Sequence, residues 1–347
     1  MTRRFVNQLG HQESINQVFL AMDKQLRPNR NGNLYLQVEL ADRSGRLTAR
    51  LWNASEHLYR SFENGDYVRV EGTTQIYQGA LQLIATQVAR ATDEEICFED
   101  FMPLSAREID RLALRLGELL RKMKSLPLRN LAECFLVDEE LMGKLTRAPA
   151  GVKNHHAYHG GLLEHVVNLM EVSWRISDCY PALDADLLVM GAFLHDIGKL
   201  DELCYDRDYA YSDAGQLLGH VVMGLAILDR KLQEAERLAG EPLPEELALR
   251  LRHMIVSHHG EYAYGSPKLP MTLEAVALHH LDNLDAKLHS FHQLMRDDAN
   301  IDSPWTAFNH NLGRKLFKGQ ERGAPRVSNG AAGPELAEGE LARPQVQ

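Results

Sequence analysis

The run Gly191–Lys199 constrains this chain more than any other feature of its sequence. It is apolar as far as Leu194, and it continues with His195, Asp196 and, two residues later, Lys199. Two adjacent metal-ligand side chains at the end of a buried helix are costly unless something binds them. In a helix Lys199 follows Asp196 by three residues and His195 by four, so all three side chains can face one pocket. A carboxylate beside an imidazole suits a divalent transition metal, and a lysine one turn on suits a phosphate oxygen held by that metal.

A His-Asp pair is often a surface accident, and composition helps to weigh it. The chain has 347 residues, 44% of them hydrophobic, which is enough for about two domains with their own cores. The net charge of −10 argues against bulk coating of nucleic acid but leaves room for a local basic groove. Four scattered cysteines argue against a disulfide framework or a cysteine zinc site, and no signal peptide or membrane span is evident. We therefore expect a cytoplasmic protein that does not enter a membrane.

The histidines are the most informative part of the composition. There are sixteen, and they cluster between His155 and His310. A lone histidine on an apolar helix face is usually a satisfied core residue. Here, however, several apolar helices each carry a ligand type within them or at their end: His165, His195–Asp196, His220, His258–His259 and Asp282. Helices can converge such side chains on the interior of a bundle.

Residues from about 15 to 92 contain segments in which apolar and polar residues alternate, as they do in half-buried β-strands. Leu34–Leu40 and Arg46–Trp52 flank the turn Asp42–Gly45 and predict a hairpin, and Val18–Lys24 predicts an earlier strand. Two later strands, with their turn near Gln78–Gly79, complete about five, and a helical piece is expected near 54–62. The pattern suggests a small closed barrel.

This segment resembles an OB-fold in its order of strands and turns. The resemblance implies binding of a nucleic-acid single strand on strands two and three through aromatic and basic side chains. The candidates are Tyr35, Arg46, Arg50, Trp52 and Tyr77. The alternation predicts that Tyr35 is exposed, because Leu34, Leu36 and Val38 take the other face. For Trp52 both core and surface positions stay open.

Residues 93–150 change to helical periodicity. Ser105 and Glu108 form a capping-box pattern before one helix, and Ser125–Pro127 breaks it. A second helix is expected over about Leu128–Leu145. After 151 the chain is helical, and after about 319 it has few large apolar residues, which is typical of disorder.

The order of the ligand types resembles the HD-domain superfamily of metal-dependent phosphohydrolases. By that resemblance His165, His195, Asp196 and Asp282 hold one metal ion. Asp196 bridges to a second ion, completed by His220, His258 and His259. Asp196 and Lys199 would be the catalytic residues, with Lys199 offsetting phosphate charge. The ligand set suits Mn²⁺, with Fe²⁺ or Co²⁺ as alternatives.

An OB-like domain joined to an HD domain is similar to the YhaM family of bacterial 3′–5′ exoribonucleases. The motifs that carry the similarity are 154–165, 194–199, 257–267 and 281–287. Four further residues are candidates for the substrate channel, although packing or surface roles are equally open: His156, His159, Glu261 and Tyr262. For Asp285, one turn after Asp282, a structural pairing with Lys287 or Arg296 is favoured over a role in orienting a ligand.

The predicted fold is an N-terminal five-stranded OB-like β-barrel followed by an all-α HD-domain bundle. The expected division is an OB domain at 1–95, a helical connector at 96–150, the HD domain at 151–317 and a disordered tail at 318–347. The leading functional hypothesis is a metal-dependent 3′–5′ exonuclease that acts on single-stranded RNA or DNA and releases nucleoside 5′-monophosphates. A ring or dimer of identical chains would suit a processive nuclease, although no sequence feature points to one.

Two other hypotheses stay open at this stage. The first is an HD enzyme that hydrolyses a small nucleotide, such as a cyclic dinucleotide, with the OB domain as a regulator. The second is a non-enzymatic nucleic-acid-binding protein with a structural metal. The complete ligand set together with Lys199 argues against the latter, because a structural site has no use for an open position.

Overall fold

The computed structural model describes residues 3–29, 31–77, 80–152, 156, 158–205, 210–296, 298 and 303–319. The first part is a closed barrel of five strands: β1 (Ser14–Pro28), β2 (Leu34–Asp42), β3 (Gly45–Trp52), β4 (Tyr67–Tyr77) and β5 (Ala80–Arg90). A short helix, α1 (Glu56–Tyr59), lies between β3 and β4. The predicted OB-like barrel is therefore confirmed.

The barrel closes because β1 pairs with two neighbours. It is antiparallel to both β2 and β4, and the parallel contact between β3 and β5 completes the ring in the order β1-β2-β3-β5-β4. Alternation along β2 buries Leu36, Val38 and Leu40 in the barrel core. The residues between them therefore face outward.

The first strand is longer than the sequence predicted. Arg27 and Pro28 pair with Tyr35 and Leu34, although the prediction assigned Arg27–Asn33 to a loop. Proline is accepted there because it is the last residue of the strand, where no further ladder hydrogen bond depends on its nitrogen. The turn expected near Gln78–Gly79 lies outside the described residues.

The second part of the chain is helical. Its helices are α2 (Ala106–Arg121), α3 (Leu126–Leu136), α4 (Glu139–Leu145), α5 (Gly161–Ser177), α6 (Ala185–Leu194), α7 (Lys199–Glu202), α8 (Asp213–Ala239), α9 (Glu245–Ser257) and α10 (Leu273–Arg296). A two-stranded ribbon, β6 (Leu203–Cys204) with β7 (Ala210–Tyr211), precedes α8. Within the described residues no helix has both the length and the apolar character needed to cross a bilayer.

Two local predictions in the connector have different outcomes. The capping box at the start of α2 is confirmed, since Ser105 and Glu108 exchange side-chain and main-chain hydrogen bonds. The single helix predicted over Leu128–Leu145 is wrong, because the chain breaks between α3 and α4. The carboxylate of Asp138 caps the new helix by accepting a hydrogen bond from the Leu141 nitrogen at 3.0 Å.

Helix α6 is the centre of the helical core. Every residue from Leu187 to Leu194 is buried, and the helix packs against α5, α9 and α10. A helix surrounded on all sides is apolar all round rather than amphipathic. This explains why the apolar run before His195 is unbroken, and it places His195 and Asp196 deep inside the protein.

The chain past α10 returns to the folded part. Trp305 forms an isolated bridge with Phe317, and Lys318 donates a hydrogen bond to Asp298 at 2.6 Å. The predicted tail at 318–347 therefore begins with a residue that is held by the fold, and its residues 320–347 lie outside the described part of the chain.

Candidate metal centre

Asp196 lies between two groups of imidazoles, with one carboxylate oxygen toward each. Its Oδ2 is 3.3 Å from His195 Nε2, and its Oδ1 is 3.5 Å from His220 Nε2 and 3.7 Å from His258 Nε2. Burial would raise the pKa of the Asp196 carboxyl, but the charges of Lys199 and His195 outweigh it and hold the pKa well below its usual range. A buried carboxylate that stays ionised between two sets of imidazoles has the position expected of a ligand shared by two metal ions.

The first group consists of His165, His195 and Asp282. His165 Nε2 lies 3.2 Å from His195 Nε2 and 3.3 Å from Asp282 Oδ1. The three side chains come from the interior of α5, the end of α6 and the middle of α10. Both histidines are fully buried, whereas the Asp282 side chain is 20% exposed, so water reaches this group from the Asp282 side.

The second group consists of His220, His258 and His259. His220 Nε2 lies 3.2 Å from His259 Nε2, and the ring of His258 packs against that of His259. His220 comes from α8, and the other two follow the end of α9. Burial lowers the pKa of His258 well below its usual value and also lowers that of His259, which keeps both imidazoles in the neutral form that binds metals.

The distances and unsatisfied atoms of these groups fit a bound divalent metal. Two nitrogens that each lie roughly 2.0–2.1 Å from one ion are separated by roughly 2.9–3.4 Å for bond angles between 90° and tetrahedral. The two Nε2 pairs have that separation. In addition, the buried His258 Nε2, which lies 3.7 Å from Asp196 Oδ1, has no hydrogen-bond partner within the described residues. A buried polar atom without a partner calls for a ligand such as an ion.

Acceptors on Nδ1 fix which ring nitrogen faces each group. A carboxylate or carbonyl oxygen that accepts from Nδ1 holds the proton there and leaves the Nε2 lone pair for the metal. Four ligand histidines have such an acceptor: His165 (Asp285 Oδ2, 2.7 Å), His195 (Ala192 O, 2.9 Å), His258 (Ile255 O, 2.7 Å) and His220 (Glu202 Oε1, 3.1 Å).

A break in α8 positions the His220 side chain in the second group. Gly219 has a φ of 74° and interrupts the helix, a conformation that favours glycine. The buried carboxylate of Glu202 then accepts hydrogen bonds from both the main-chain nitrogen of His220, at 2.9 Å, and its Nδ1. Gly198 allows this approach, because a Cβ there would overlap the carbonyl oxygen of His220.

Lys199 contacts the centre directly. Its Nζ donates a hydrogen bond to Asp196 Oδ2 at 2.7 Å. Burial lowers the pKa of Lys199, but the charge of Asp196 outweighs it and the net shift is upward. The ammonium therefore stays charged beside the two groups, at the spacing of three residues that the sequence predicted.

The four channel candidates lie in different surroundings. His156 is buried and contacts Tyr158, Glu164 and Asp285, with its Nε2 3.2 Å from Asp285 Oδ2, and these side chains line one cavity. His159 is half-buried, and no hydrogen bond, ion pair or ring contact between described residues joins it to either group. Glu261 and Tyr262 follow His259 in an exposed turn.

The barrel brings four of its five candidates together in two contacts. Tyr35 and Trp52 pair across β2 and β3 with ring centroids 5.0 Å apart, and Trp52 is 45% exposed. The guanidinium of Arg50 lies over the Tyr77 ring at 5.9 Å. Arg46 is set apart, at the hairpin end of β3. The open question about Trp52 is thus answered in favour of the surface.

Two carboxylates hold ligand histidines; sequence reasoning missed one of them and ranked the ligand-orienting role of the other second. Glu202 was not singled out, and the structural pairing favoured for Asp285 is wrong, because Asp285 accepts from His165 and contacts His156. One signal was available for Asp285, since it follows Asp282 by three residues and so lies on the same helix face. No comparable spacing marks Glu202.

Comparison with known proteins agrees with this architecture. A family model for OB-fold nucleic acid binding domains matches residues 21–90, and a model for HD domains matches residues 162–287. Among solved structures, the mitochondrial single-stranded DNA binding protein Rim1 of S. cerevisiae is 18% identical over 23% of this chain and 97% of its own, with a TM-score of 0.21. That score is too low to support an inference about this chain.

Relatives of known name cover most of the chain. It is 33% identical over 260 residues to the 3′-5′ exoribonuclease YhaM of Bacillus subtilis (strain 168). This alignment covers 75% of this chain and 80% of that protein. It is 32% identical over 277 residues to the protein of the same name from Bacillus velezensis, spanning 80% and 86%. The fold and the site define an HD-domain metal enzyme with an attached OB-fold domain. The chain belongs to the family of YhaM 3′–5′ exoribonucleases.

Proposed function

We propose that this chain is a metal-dependent exonuclease that removes nucleoside 5′-monophosphates from the 3′ end of single-stranded RNA. The observation that carries the proposal is the position of Asp196, whose two oxygens face two separate imidazole groups. The names of the two Bacillus relatives support the polarity and the substrate. They also disfavour the alternative of a small-nucleotide hydrolase.

We assign two divalent ions to the site, with Mn²⁺ as the first choice and Fe²⁺ or Co²⁺ as substitutes. His165, His195 and Asp282 would hold one ion, and His220, His258 and His259 the other, with Asp196 shared. Imidazole and carboxylate ligands without a thiolate suit these ions. Ions held by these residues would supply the chemistry of such sites, namely activation of a water for attack on phosphorus and neutralisation of the leaving 3′-oxygen.

The protein side chains supply charge and position around this chemistry. Lys199 is held at 2.7 Å from Asp196, where its ammonium can offset the charge of a phosphate in the transition state. Asp196 is buried and the Lys199 side chain is only 14% exposed, which lowers the local dielectric and strengthens this effect. Asp196 and Lys199 are thus the proposed catalytic residues.

The barrel would hold the substrate strand. Half-buried Tyr35 and exposed Trp52 form an outward-facing pair on which bases could stack, and Arg46, Arg50 and Tyr77 extend this surface. In this proposal the chain consists of an OB domain at 1–95, a connector at 96–150, the HD domain at 151–317 and a tail at 318–347. Assembly into a ring or dimer stays a prediction.

The direct test is a time course of single-stranded RNA labelled at its 5′ end, incubated with the purified full chain and Mn²⁺ and resolved on a denaturing gel. The proposal predicts a ladder that shortens from the 3′ end, that chelator abolishes, and that Asp196→Ala does not produce. Asp110→Ala is a matched control, because Asp110 is exposed on α2 and far along the chain from every ligand. An intact band with every metal, or full activity in Asp196→Ala, would contradict the proposal.

A further inference from the structure

His156 is a buried histidine whose backbone lies in the left-handed region of conformational space. Its φ is 52°, and the residue is only 2% exposed. A residue other than glycine rarely keeps this conformation unless its surroundings hold it there, and such residues are concentrated at functional sites. The two ligand groups of the metal centre do not include His156, so its conformation calls for a separate explanation.

Both the backbone and the ring of His156 are held in place. Its carbonyl oxygen accepts hydrogen bonds from the main-chain nitrogens of Ala150, at 3.0 Å, and Tyr158, at 2.9 Å. Gly161, the first residue of α5, lies against the same carbonyl, and a Cβ there would come within 2.1 Å of its oxygen. The ring lies against that of His289 on α10, with centroids 3.9 Å apart. The imidazole therefore has a fixed direction.

The ring of His156 lies between two carboxylates. Its Nδ1 is 3.1 Å from Glu164 Oε2, and its Nε2 is 3.2 Å from Asp285 Oδ2. Burial would raise the pKa of the Glu164 carboxyl, but its hydrogen bonds with His156 and Tyr158 outweigh burial and lower the pKa. Burial is outweighed in the same way at Asp285, by hydrogen bonds with His156 and His165 that lower its pKa. Both carboxylates are therefore ionised acceptors, to which the imidazole donates.

Asp285 connects this arrangement to the first ligand group. Its Oδ2 faces both His156 Nε2, at 3.2 Å, and His165 Nδ1, at 2.7 Å. A carboxylate that is itself held by a hydrogen bond orients a ligand histidine better than one that is free to rotate. Helix α10 supplies Asp282 to the ligand group, Asp285 behind His165 and His289 behind His156, at spacings of three and four that keep them on one face.

We infer that His156 is a positioning residue of the first ligand group, which donates to Asp285 and thereby holds His165 in the orientation that binds a metal ion. Glu164 and His289 hold the ring of His156 in turn. This inference rests on the two-ion centre of the proposed function. It adds to that centre a residue that acts through Asp285, a role distinct from the substrate channel that the sequence suggested for it.

Two substitutions separate this role from simple support of the backbone. His156→Gln places an amide nitrogen near the position of Nε2 and can still donate to Asp285, whereas His156→Asn places one near Nδ1 and reaches only Glu164. Asparagine enters the left-handed region more readily than glutamine, so a purely structural role would favour His156→Asn. Calorimetric titration with Mn²⁺ should show one binding event weakened about tenfold in His156→Asn, the lower end of the effect of losing a partner behind a metal ligand. Both events should be little changed in His156→Gln.

A double variant tests whether His156 acts through Asp285. The variant that combines His156→Asn with Asp285→Asn should bind Mn²⁺ as weakly as Asp285→Asn alone, because residues that act through one hydrogen-bonded network do not have additive effects. The event that each substitution weakens should also be the same. His57→Asn is the matched control, since His57 is exposed on α1 in the barrel, and it should bind Mn²⁺ as the wild type does.

The outcomes separate this inference from the proposed function. Wild-type Mn²⁺ affinity in His156→Asn, equal weakening in His156→Gln and His156→Asn, or additive losses in the double variant would overturn the inference. A higher KM for RNA with unchanged Mn²⁺ affinity would also overturn it, because His156 would then contact the substrate in the cavity of about 540 Å³ that it lines. If the variants respond as expected but the wild-type chain does not shorten RNA, the proposed function fails and the role of His156 stands. A wild-type chain that binds no Mn²⁺ would overturn both.

Discussion

Asp285 accepts a hydrogen bond from the Nδ1–H of His165 at 2.7 Å, one helical turn beyond Asp282 on the same face of α10. One helix thus contributes a carboxylate to the first ligand group and a second carboxylate behind a histidine of that group. Burial lowers the pKa of His165, but its hydrogen bonds to Asp282 and Asp285 outweigh it and raise the pKa to about 9. Asp285 therefore fixes the orientation of the His165 ring and makes its Nε2 a stronger electron-pair donor to a metal ion.

Removing the charge of Asp285 should weaken the first ligand group. We predict that Asp285→Asn lowers the affinity for Mn²⁺ about 10- to 100-fold, the usual effect of losing a hydrogen-bond partner behind a metal ligand. Saturating Mn²⁺ should restore most of kcat, because Asp285 acts through His165 rather than on the substrate. Activity measured across a Mn²⁺ titration checks this, with Asp110→Asn as the control. A metal dependence identical to that of the wild type would contradict the role.

Glu202 should play the same part for the second group. Glu202→Gln keeps the size of the side chain but loses the charge that faces His220, and we expect a loss of Mn²⁺ affinity of about 10-fold or more. Calorimetric titration with Mn²⁺ should show that only one of the two binding events is weakened. Glu246→Gln on α9 is the control, because that side chain is largely exposed. Equal weakening of both events would argue that Glu202 supports the fold as a whole.

Trp52 should bind the strand and take no part in the chemistry. Loss of one stacking aromatic costs about 1–3 kcal/mol of binding free energy by alanine substitution. Trp52→Ala should therefore weaken RNA binding about 5- to 150-fold while thermal stability changes little, because the ring is 45% exposed. Fluorescence anisotropy of a labelled RNA measures this. Trp305→Ala is matched in residue type and exposure, at 47%, and should bind as the wild type does.

Metal removal should destabilise the helical part of the chain. An ion that binds only the folded state, at a concentration 100 times its Kd, raises the free energy of unfolding by about 2.7 kcal/mol. Without it, buried nitrogens such as His258 Nε2 have no partner among the described residues. Thermal unfolding followed by circular dichroism should therefore shift to lower temperature in chelator and recover with Mn²⁺. Superimposable unfolding curves would show that the groups do not hold a metal.

The elements that depend on local periodicity were predictable from the sequence. The alternation along β2 and β3 predicted the hairpin, and the unbroken apolar run before His195 predicted a buried helix with polar side chains at its end. The strands β2 and β3 bury one face, and α6 is buried on all sides. The pattern of hydrophobic residues therefore shows directly which surfaces are buried. The break between α3 and α4 was missed because Asp138 has to be recognised as a helix cap inside an otherwise helical stretch.

The contacts between distant elements were not predictable in the same way. The hydrogen bond between Glu202 and His220 depends on the kink at Gly219, and a lone Glu carries no periodic signal. Arg46 of the barrel and Arg296 of α10 line one cavity, which depends on how the barrel packs beside α10, and no local pattern encodes that packing. Sequence reasoning therefore reached the residues proposed to bind metal but not the side chains that hold and connect them.

The number of metal ions bound per chain distinguishes a centre of two ions from a site for one ion or none. The wild-type chain is equilibrated with Mn²⁺ by dialysis, and its metal content is measured by elemental analysis beside that of Asp196→Ala and His220→Ala. We predict two ions per wild-type chain, about one in His220→Ala and fewer than two in Asp196→Ala. One ion or none in the wild type, or two in His220→Ala, would contradict a centre built from two histidine groups that share Asp196.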